Sequence, residues 1–248
     1  ESLPVLPAGS PDFRILHISD MHMIPGQQKK IDFMHSLAAL EPDLVMNTGD
    51  NLSHVDGMGP LLEALDPLMD FPGVFVPGSN CYFAPVFKNP ARYLWQPRTP
   101  QMIEEGSRVA LPIERMHDAF ESRGWTGLIN RYDTLNLKGL RLEFSGVDDP
   151  HLRYDEHPGF APGAFDEGQE PSVRIGVAHA PYMRTLHRFV QDGAQAIFAG
   201  HTHGGQVCLP GGHALVSNCD LPPSRAKGVS KQSGIPVQVS AGLGTSRF

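Results

Sequence analysis

The stretch FRILHISDMHMIPGQQKKIDFMHSLAALEPDLVMNTGDN, residues 13–51, decides the fold. Phe13 to Ile18 is a short, largely apolar run, Ile31, Met34, Leu37 and Ala38 recur at helical spacing, and Leu44 to Met46 is a second apolar run. Strand, helix and strand in that order make a β-α-β unit, whose two strands lie parallel in one sheet. Each strand runs directly into polar residues: Asp20 and His22 after the first, Gly49, Asp50 and Asn51 after the second. An open α/β sheet binds its ligands outside the carboxyl ends of its strands, so these residues stand where chemistry is expected.

The rhythm continues outward. A Leu-rich stretch from Leu61 to Met69 reads as a helix, and Val74 to Val76, bounded by Gly and Pro, as a buried strand that leads into Gly78, Ser79, Asn80 and Cys81. Tyr132 to Leu137 and Leu140 to Phe144 alternate around Lys138-Gly139, a hairpin signal. Val173 to Ala178, a helix from Pro181 to Val190 with Pro181 in its first turn, and Gln195 to Ala199 restore a β-α-β unit, and short strands follow at Val207, Leu215 and Val237 to Ser240. After Val173–Ala178 comes His179, and after Gln195–Ala199 come Gly200, His201, Thr202 and His203.

Between Tyr82 and Trp125 the pattern lapses into Pro-rich, aromatic and basic sequence, with Phe83, Phe87, Lys88, Arg92, Tyr93, Trp95 and Arg98. It reads as an irregular insertion at about 82–125, either a surface excursion packed on its own aromatics or a lid over the site. Asp155 to Pro171 reads as a solvated loop. With no internal repeat and no clear linker, residues 1–248 read as one mixed α/β domain.

Composition narrows the function. Of 248 residues, 40% are apolar, and 20 Lys+Arg against 27 Asp+Glu give a formal charge of −7, which argues against a general nucleic-acid binder. No apolar run approaches the ~18 residues of a membrane span, so the chain as given is expected to be soluble. Glu1, with no signal-like segment behind it, reads as a trimmed amino end, an anchor or signal having been removed, and leaves targeting unread. Cys81, Cys208 and Cys219 make no disulfide framework: a hairpin from Gln206 to Cys219 turning at Gly211-Gly212 sets Cys208 near Leu215, so reduced thiols are expected.

Taken singly, a strand-end Asp is usually a helix cap and a lone His a satisfied polar residue. Five strand ends in order that supply two Asp, one Asn and four His are another matter. These blocks resemble the calcineurin-like metallophosphoesterases, whose signature runs D-x-H, G-D, G-N-H-[DE], H, G-H-x-H. The match spans Phe13 to Gly205, with Asp20-Met-His22, Gly49-Asp50, His179 and Gly200-His201-Thr-His203 intact. Gly204-Gly205-Gln206 and Gly146-Val-Asp-Asp-Pro150 look like the bacterial YkuE-like branch, some members of which hydrolyse lipid-linked sugar nucleotides.

The resemblance implies an α/β fold, an αββα sandwich of two mixed sheets flanked by helices. It implies a dinuclear metal-dependent hydrolase of a phosphomonoester, phosphodiester or pyrophosphate. Two close cations need a bridging anion to offset their repulsion, and Asp50 is the candidate. By motif position Asp20, His22 and His203 complete one metal, and His179, His201 and Asn80 the other. Imidazole with oxygen suits divalent or trivalent Mn, Fe, Zn, Co or Ni rather than Ca. A hydroxide shared by the two ions would attack phosphorus, with no protein nucleophile required. The partner implied is a small phosphorylated molecule, and the aromatics of the insertion point to an amphiphilic or nucleotide-like one.

The third block departs from the family as Gly78-Ser79-Asn80-Cys81. Without a gap Ser79 falls on the ligand Asn and Asn80 on the His that contacts phosphate; shifted by one, Asn80 is the ligand and Cys81 takes the His position. Either register removes the usual leaving-group acid, a role that His151 can take. The alternative reading is a metal-bound scaffold that binds a phosphoryl ligand with weak or no turnover. The remaining candidates have plainer readings: Asp148 and Asp149 as turn residues before Pro150 and His54 as a solvent-facing loop residue, while Gly204-Gly205 reads either as a close backbone approach to a phosphate or as a tight turn.

Overall fold

The computed structural model describes residues 1–85, 108–161, 172–205, 207–209 and 213–245. Phe87, Lys88, Arg92, Tyr93, Trp95 and Arg98 of the insertion, and Gly211-Gly212, lie outside the described residues.

The opening β-α-β unit forms as its apolar spacing dictates: β1 (Ile15–Ile18), α1 (Gln28–Ser36) and β2 (Leu44–Asn47). α2 (Met58–Leu65) then leads to β3 (Gly73–Phe75). β3 ends in a single helical turn, α3 (Ser79–Tyr82), and α4 (Ile113–Ser122) precedes the short β4 (Thr126–Gly127). These four strands pair in the order β1-β2-β3-β4, all parallel.

The rest of the chain builds a second, mixed sheet. β5 (Arg131–Leu137) and β6 (Leu140–Gly146) form the expected hairpin, and both turn residues, Lys138 and Gly139, have positive φ, as a two-residue primed turn requires. β7 (Ser172–Val177), α5 (Met183–Gln191) and β8 (Ala196–Ala199) form the second β-α-β unit. β9 (Val207–Leu209) pairs with β10 (His213–Val216) as a separate ribbon, while β11 (Gly228–Gln232) and β12 (Ile235–Val239) extend the large sheet to the order β11-β12-β8-β7-β6-β5.

Period-2 alternation sorts the side chains into three layers. Leu44, Met46, Val74 and Val76 of the first sheet meet Leu142, Phe144, Val173, Ile175 and Phe198 of the second. Val45 and Phe75 point the other way, onto Ile31, Met34, Leu61, Leu65, Met116 and Phe120 of the helices. On the far side Ile197, Val237 and Val239 pack against Leu186 and Phe189 of α5. The order of layers is α, β, β, α, as expected.

Several expectations need correction. The stretch 82–125 is not irregular throughout: α4 lies inside it, and Met116 and Phe120 at i, i+4 are its buried face. Phe83 and Ala110 form an isolated bridge that ties the two ends of the insertion together. Pro181 does not open the α5 helix, which starts at Met183 with Tyr182 extended before it. Cys208 pairs with Ala214, beside a bulge at Leu215, and Cys81 and Cys219 are buried. Among the described residues no helix is long and apolar enough to cross a membrane.

Candidate metal centre

The carboxyl ends of β1, β2, β3, β6, β7 and β8 converge, and each delivers one or two of the expected side chains. Immediately beyond β1, Asp20 donates its N–H to Gly49 O (2.8 Å) and His22 to Asp50 O (3.0 Å), so the loops after β1 and β2 are laced together. Asp20, His22, Asp50, His201 and His203 all take positive φ, between 46° and 70°. Left-handed backbone costs an L-residue about 1–2 kcal/mol, and such strain collects where function requires a fixed side-chain direction. It turns these five side chains into one space.

Three of the imidazoles are oriented by a second contact. His22 Nδ1 meets Ser53 Oγ at 2.9 Å, His179 Nδ1 donates to Thr48 O at 2.6 Å, and His201 Nε2 faces Asn218 O at 3.3 Å. The opposite ring nitrogens then face inward. His22 Nε2 lies 3.2 Å from His203 Nε2 and 3.8 Å from Asp50 Oδ2, while His179 Nε2 lies 3.3 Å from His201 Nδ1 and 3.4 Å from Asp50 Oδ1. Asp20 Oδ2 accepts Ser19 Oγ–H and the N–H of His201 (3.0 Å), which leaves Oδ1 buried without a hydrogen bond among the described residues, 3.3 Å from His203 Nε2.

So many acceptors crowded together, with an orphaned buried carboxylate oxygen among them, is the pattern that a cation resolves. Among the described residues two groups have ligand atoms within 4.8 Å of one another: Asp20, His22 and His203, and Asp20, Asp50 and His179. The imidazole and carboxylate donors fit a first-row transition ion. Asp20 belongs to both groups, where a place in one alone was expected.

The electrostatics agree for His22 and His201, whereas His179 shares a proton with the carboxylates around it until a cation displaces that proton. Burial lowers His22 to about 4, against the pull of Asp50 and Asp20, and burial with the nearby His151 and His179 holds His201 well below its usual range. Both rings are therefore neutral at pH 7 and keep a lone pair. Burial opposes charge on His179 too, but Asp50, Asp20 and Asp149 together raise it to about 10. Burial alone would raise the Asp50 carboxyl; His179, His22 and the Asn80 hydrogen bond hold it well below the carboxylate range.

Asn80 stands at the centre: its backbone N–H donates to Asp50 Oδ1 and its Nδ2 to Asp50 Oδ2, both at 2.7 Å. Cys81 turns away into the core, its Sγ 3.8 Å from Asn51 Nδ2 and its thiol pushed up to about 12, chiefly by burial. It does not occupy the position of a leaving-group acid. His151 does reach the centre, its ring 4.7 Å from that of His201 and its Nδ1 3.0 Å from Tyr182 Oη. Asp149 accepts the N–H groups of His151 and Leu152 (3.1 Å each), as a turn residue does, yet it is fully buried, and burial with the Asp50 charge raises it to about 7 against the opposing His179. Asp148 accepts the Tyr82 hydroxyl (2.7 and 2.8 Å). His54 is half-exposed and caps a turn through Asp56 N, away from the centre. The orienting residues Ser19, Ser53 and Asn218 were not legible as site residues. Ser19 adjoins the first block, whereas nothing in the sequence marks Asn218.

Four-layer architecture and strand-end His/Asp cluster together define a class, and comparison with known proteins agrees. Residues 13–205, well over half of the chain, match the calcineurin-like phosphoesterase family, so the chain belongs to that family. It is 26% identical over 203 residues to the uncharacterized protein YpbG of Bacillus subtilis (strain 168), a match that covers 80% of this chain and 64% of that protein, so the chain spans a little under two thirds of its relative. Solved structures that it resembles include TT1561 of Thermus thermophilus (12% identity, TM-score 0.49, 94% of this chain and 91% of that one). A dimetal phosphatase from Danio rerio is another (10% identity, TM-score 0.46, 94% and 88%).

Proposed function

We propose that the centre holds two divalent or trivalent transition ions and hydrolyses a phosphoester or pyrophosphate bond of a small substrate. The observation that carries this reading is the place of Asp50, whose two oxygens face His22 on one side and His179 on the other. Asp20, His22 and His203 would hold one ion, His179, His201 and the Asn80 amide the other, with Asp50 available to both. A half-turn of the Asn80 amide exchanges its nitrogen for the oxygen that a cation prefers. When bound, the ions acidify a shared water towards neutrality and stabilise charge on the phosphoryl oxygens.

The chain's own residues supply the rest. Thr48 O, Ser53 and Asn218 fix the ring directions of His179, His22 and His201, so that little reorganisation is left for the reaction. Asn80, half-buried beside Asp50, contacts a phosphoryl oxygen. His151, held at Nδ1 by Tyr182, passes a proton to the departing oxygen. Tyr82 packs edge-on against Tyr154 (5.4 Å) and lies near Phe83 (6.3 Å), rings that suit an amphiphilic or nucleotide-like leaving group.

The test is turnover of a chromogenic aryl phosphodiester by protein stripped of metal and reloaded with Mn(II). The expected result is metal-dependent turnover that falls by about 10²–10⁴ in Asp50→Asn. Tight binding of a phosphoryl ligand without turnover would favour the scaffold reading instead, for which the inward-turned Cys81 is the supporting observation. Saturation at one ion per chain would contradict the shared role of Asp50.

A further inference from the structure

Three of the four imidazoles at the centre are fixed by a hydrogen bond at the outer ring nitrogen: His22 to Ser53, His179 to Thr48, His201 to Asn218. His203 is different. Its Nδ1 is buried and, among the described residues, has no hydrogen-bond partner. What faces that nitrogen is backbone. A Cβ built on Gly242 would lie 3.2 Å from His203 Nδ1 and 2.9 Å from Asp20 Cβ, so any side chain at 242 would crowd both of these residues of the Asp20–His22–His203 group.

The segment that carries Gly242 is itself held at both ends. Leaving β12, Ser240 donates its N–H to Ala199 O at the end of β8 (2.8 Å), Gly242 N–H donates to Ser240 Oγ (3.1 Å), and Leu243 N–H donates to Ser19 O beyond β1 (3.0 Å). At Gly244 a Cβ would come within 2.5 Å of Met21 O, and Lys30 Nζ donates to the same oxygen at 2.6 Å. The backbone of 242–244 is thus strapped across the loop that presents Asp20 and His22.

We infer that Gly242 is a positioning residue of the metal centre: by lacking a side chain it lets this strap close over the His203 ring and Asp20 without displacing them, where the other three rings are held by hydrogen bonds. The inference rests on the two-ion reading above, and it is selective through His203, which belongs to one ligand group alone, whereas Asp20 belongs to both.

The test compares Gly242→Ala with Gly234→Ala. Gly234 lies in the β11–β12 turn with φ +89°, close to the +80° of Gly242, but a Cβ there meets nothing within 4 Å, so it carries the same backbone strain without the contact. Mn(II) uptake by stripped protein is followed by calorimetry, with EPR to distinguish exchange-coupled from isolated ions. The expected result is a loss of about 10–100-fold in affinity at one of the two sites in Gly242→Ala, with isolated-ion EPR at limiting metal, and two unchanged sites in Gly234→Ala. Should Gly242→Ala fail to fold, Ser240→Ala loosens the strap without adding bulk, and a several-fold loss at the same single site is expected. Parent-like affinities at both sites in the folded variants, or equal losses at both, overturn the inference. A parent protein that never takes up two ions overturns the two-ion reading first, and this inference with it.

Discussion

Acidification is expected to destabilise the protein through one histidine that takes no part in the centre. His17 projects from β1 between the two sheets. Its Nε2 meets Thr48 Oγ1 at 3.0 Å, its Nδ1 is buried without a partner among the described residues, and its ring stands edge-on to Phe198 at 5.4 Å. Burial lowers it from 6.5 to about 4, against a smaller opposing pull from Asp20. Between those two values the unfolded chain takes up a proton that the folded chain refuses, so stability falls as pH drops through that window and is lost in full below about 4. At ~1.4 kcal/mol for each tenfold, the loss comes to about 3 kcal/mol. Urea denaturation of metal-stripped protein from pH 7 to 4 measures it, with His17→Gln, which keeps a partner for Thr48, as reference. Other buried imidazoles titrate equally in both proteins and cancel in the difference. The parent is expected to lose about 3 kcal/mol more than His17→Gln over that range. Parallel curves would refute the reasoning and mean that His17 is hydrated, through the cavity of about 850 Å³ that it lines with Leu3, Val5, Ile15 and Phe198.

Metal should stabilise the fold, since the ligands exist as a set only in the native chain: at a hundred times the dissociation constant the gain is about 2.7 kcal/mol, read as a higher Tm on adding Mn(II) to stripped protein. Glu143 is wholly buried between Arg141 (2.9 Å) and Arg174 (3.2 Å), so Glu143→Gln should cost about 2–3 kcal/mol in urea denaturation, the lower end for a broken pair because both arginines stay partly hydrated. His151→Gln should slow alkyl phosphodiesters by about 10²-fold or more while sparing activated aryl esters, which leave without a proton; equal slowing of both would remove His151 from that role.

Much of this was written in local sequence. The β-α-β rhythm of residues 13–51 set strand direction and layer order, because apolar spacing decides which face is buried, and it placed Asp20, His22 and Asp50 at the carboxyl ends where they are found. His179, His201 and His203 followed from the second unit in the same way. The short β4, the edge strand β11 and the α4 helix were not legible: two residues make no periodicity, Gly228–Gln232 is polar, and the apolar face of α4 lay in a Pro-rich neighbourhood that masked it.

What the sequence by itself determined is the set of side chains and the ends of the strands that carry them, since a motif specifies residue type and local spacing. Only the tertiary structure decided which atoms face one another. It put Asn80 rather than Cys81 beside Asp50, left Asp20 Oδ1 bare by saturating Oδ2, and buried Asp149 next to Asp50 and His179. It also brought Asn218 to His201 and Gly242 beside Asp20 and His203, across long stretches of chain. The reason is physical: burial, backbone handedness and hydrogen-bond saturation depend on what packs from distant segments, and no local pattern encodes them.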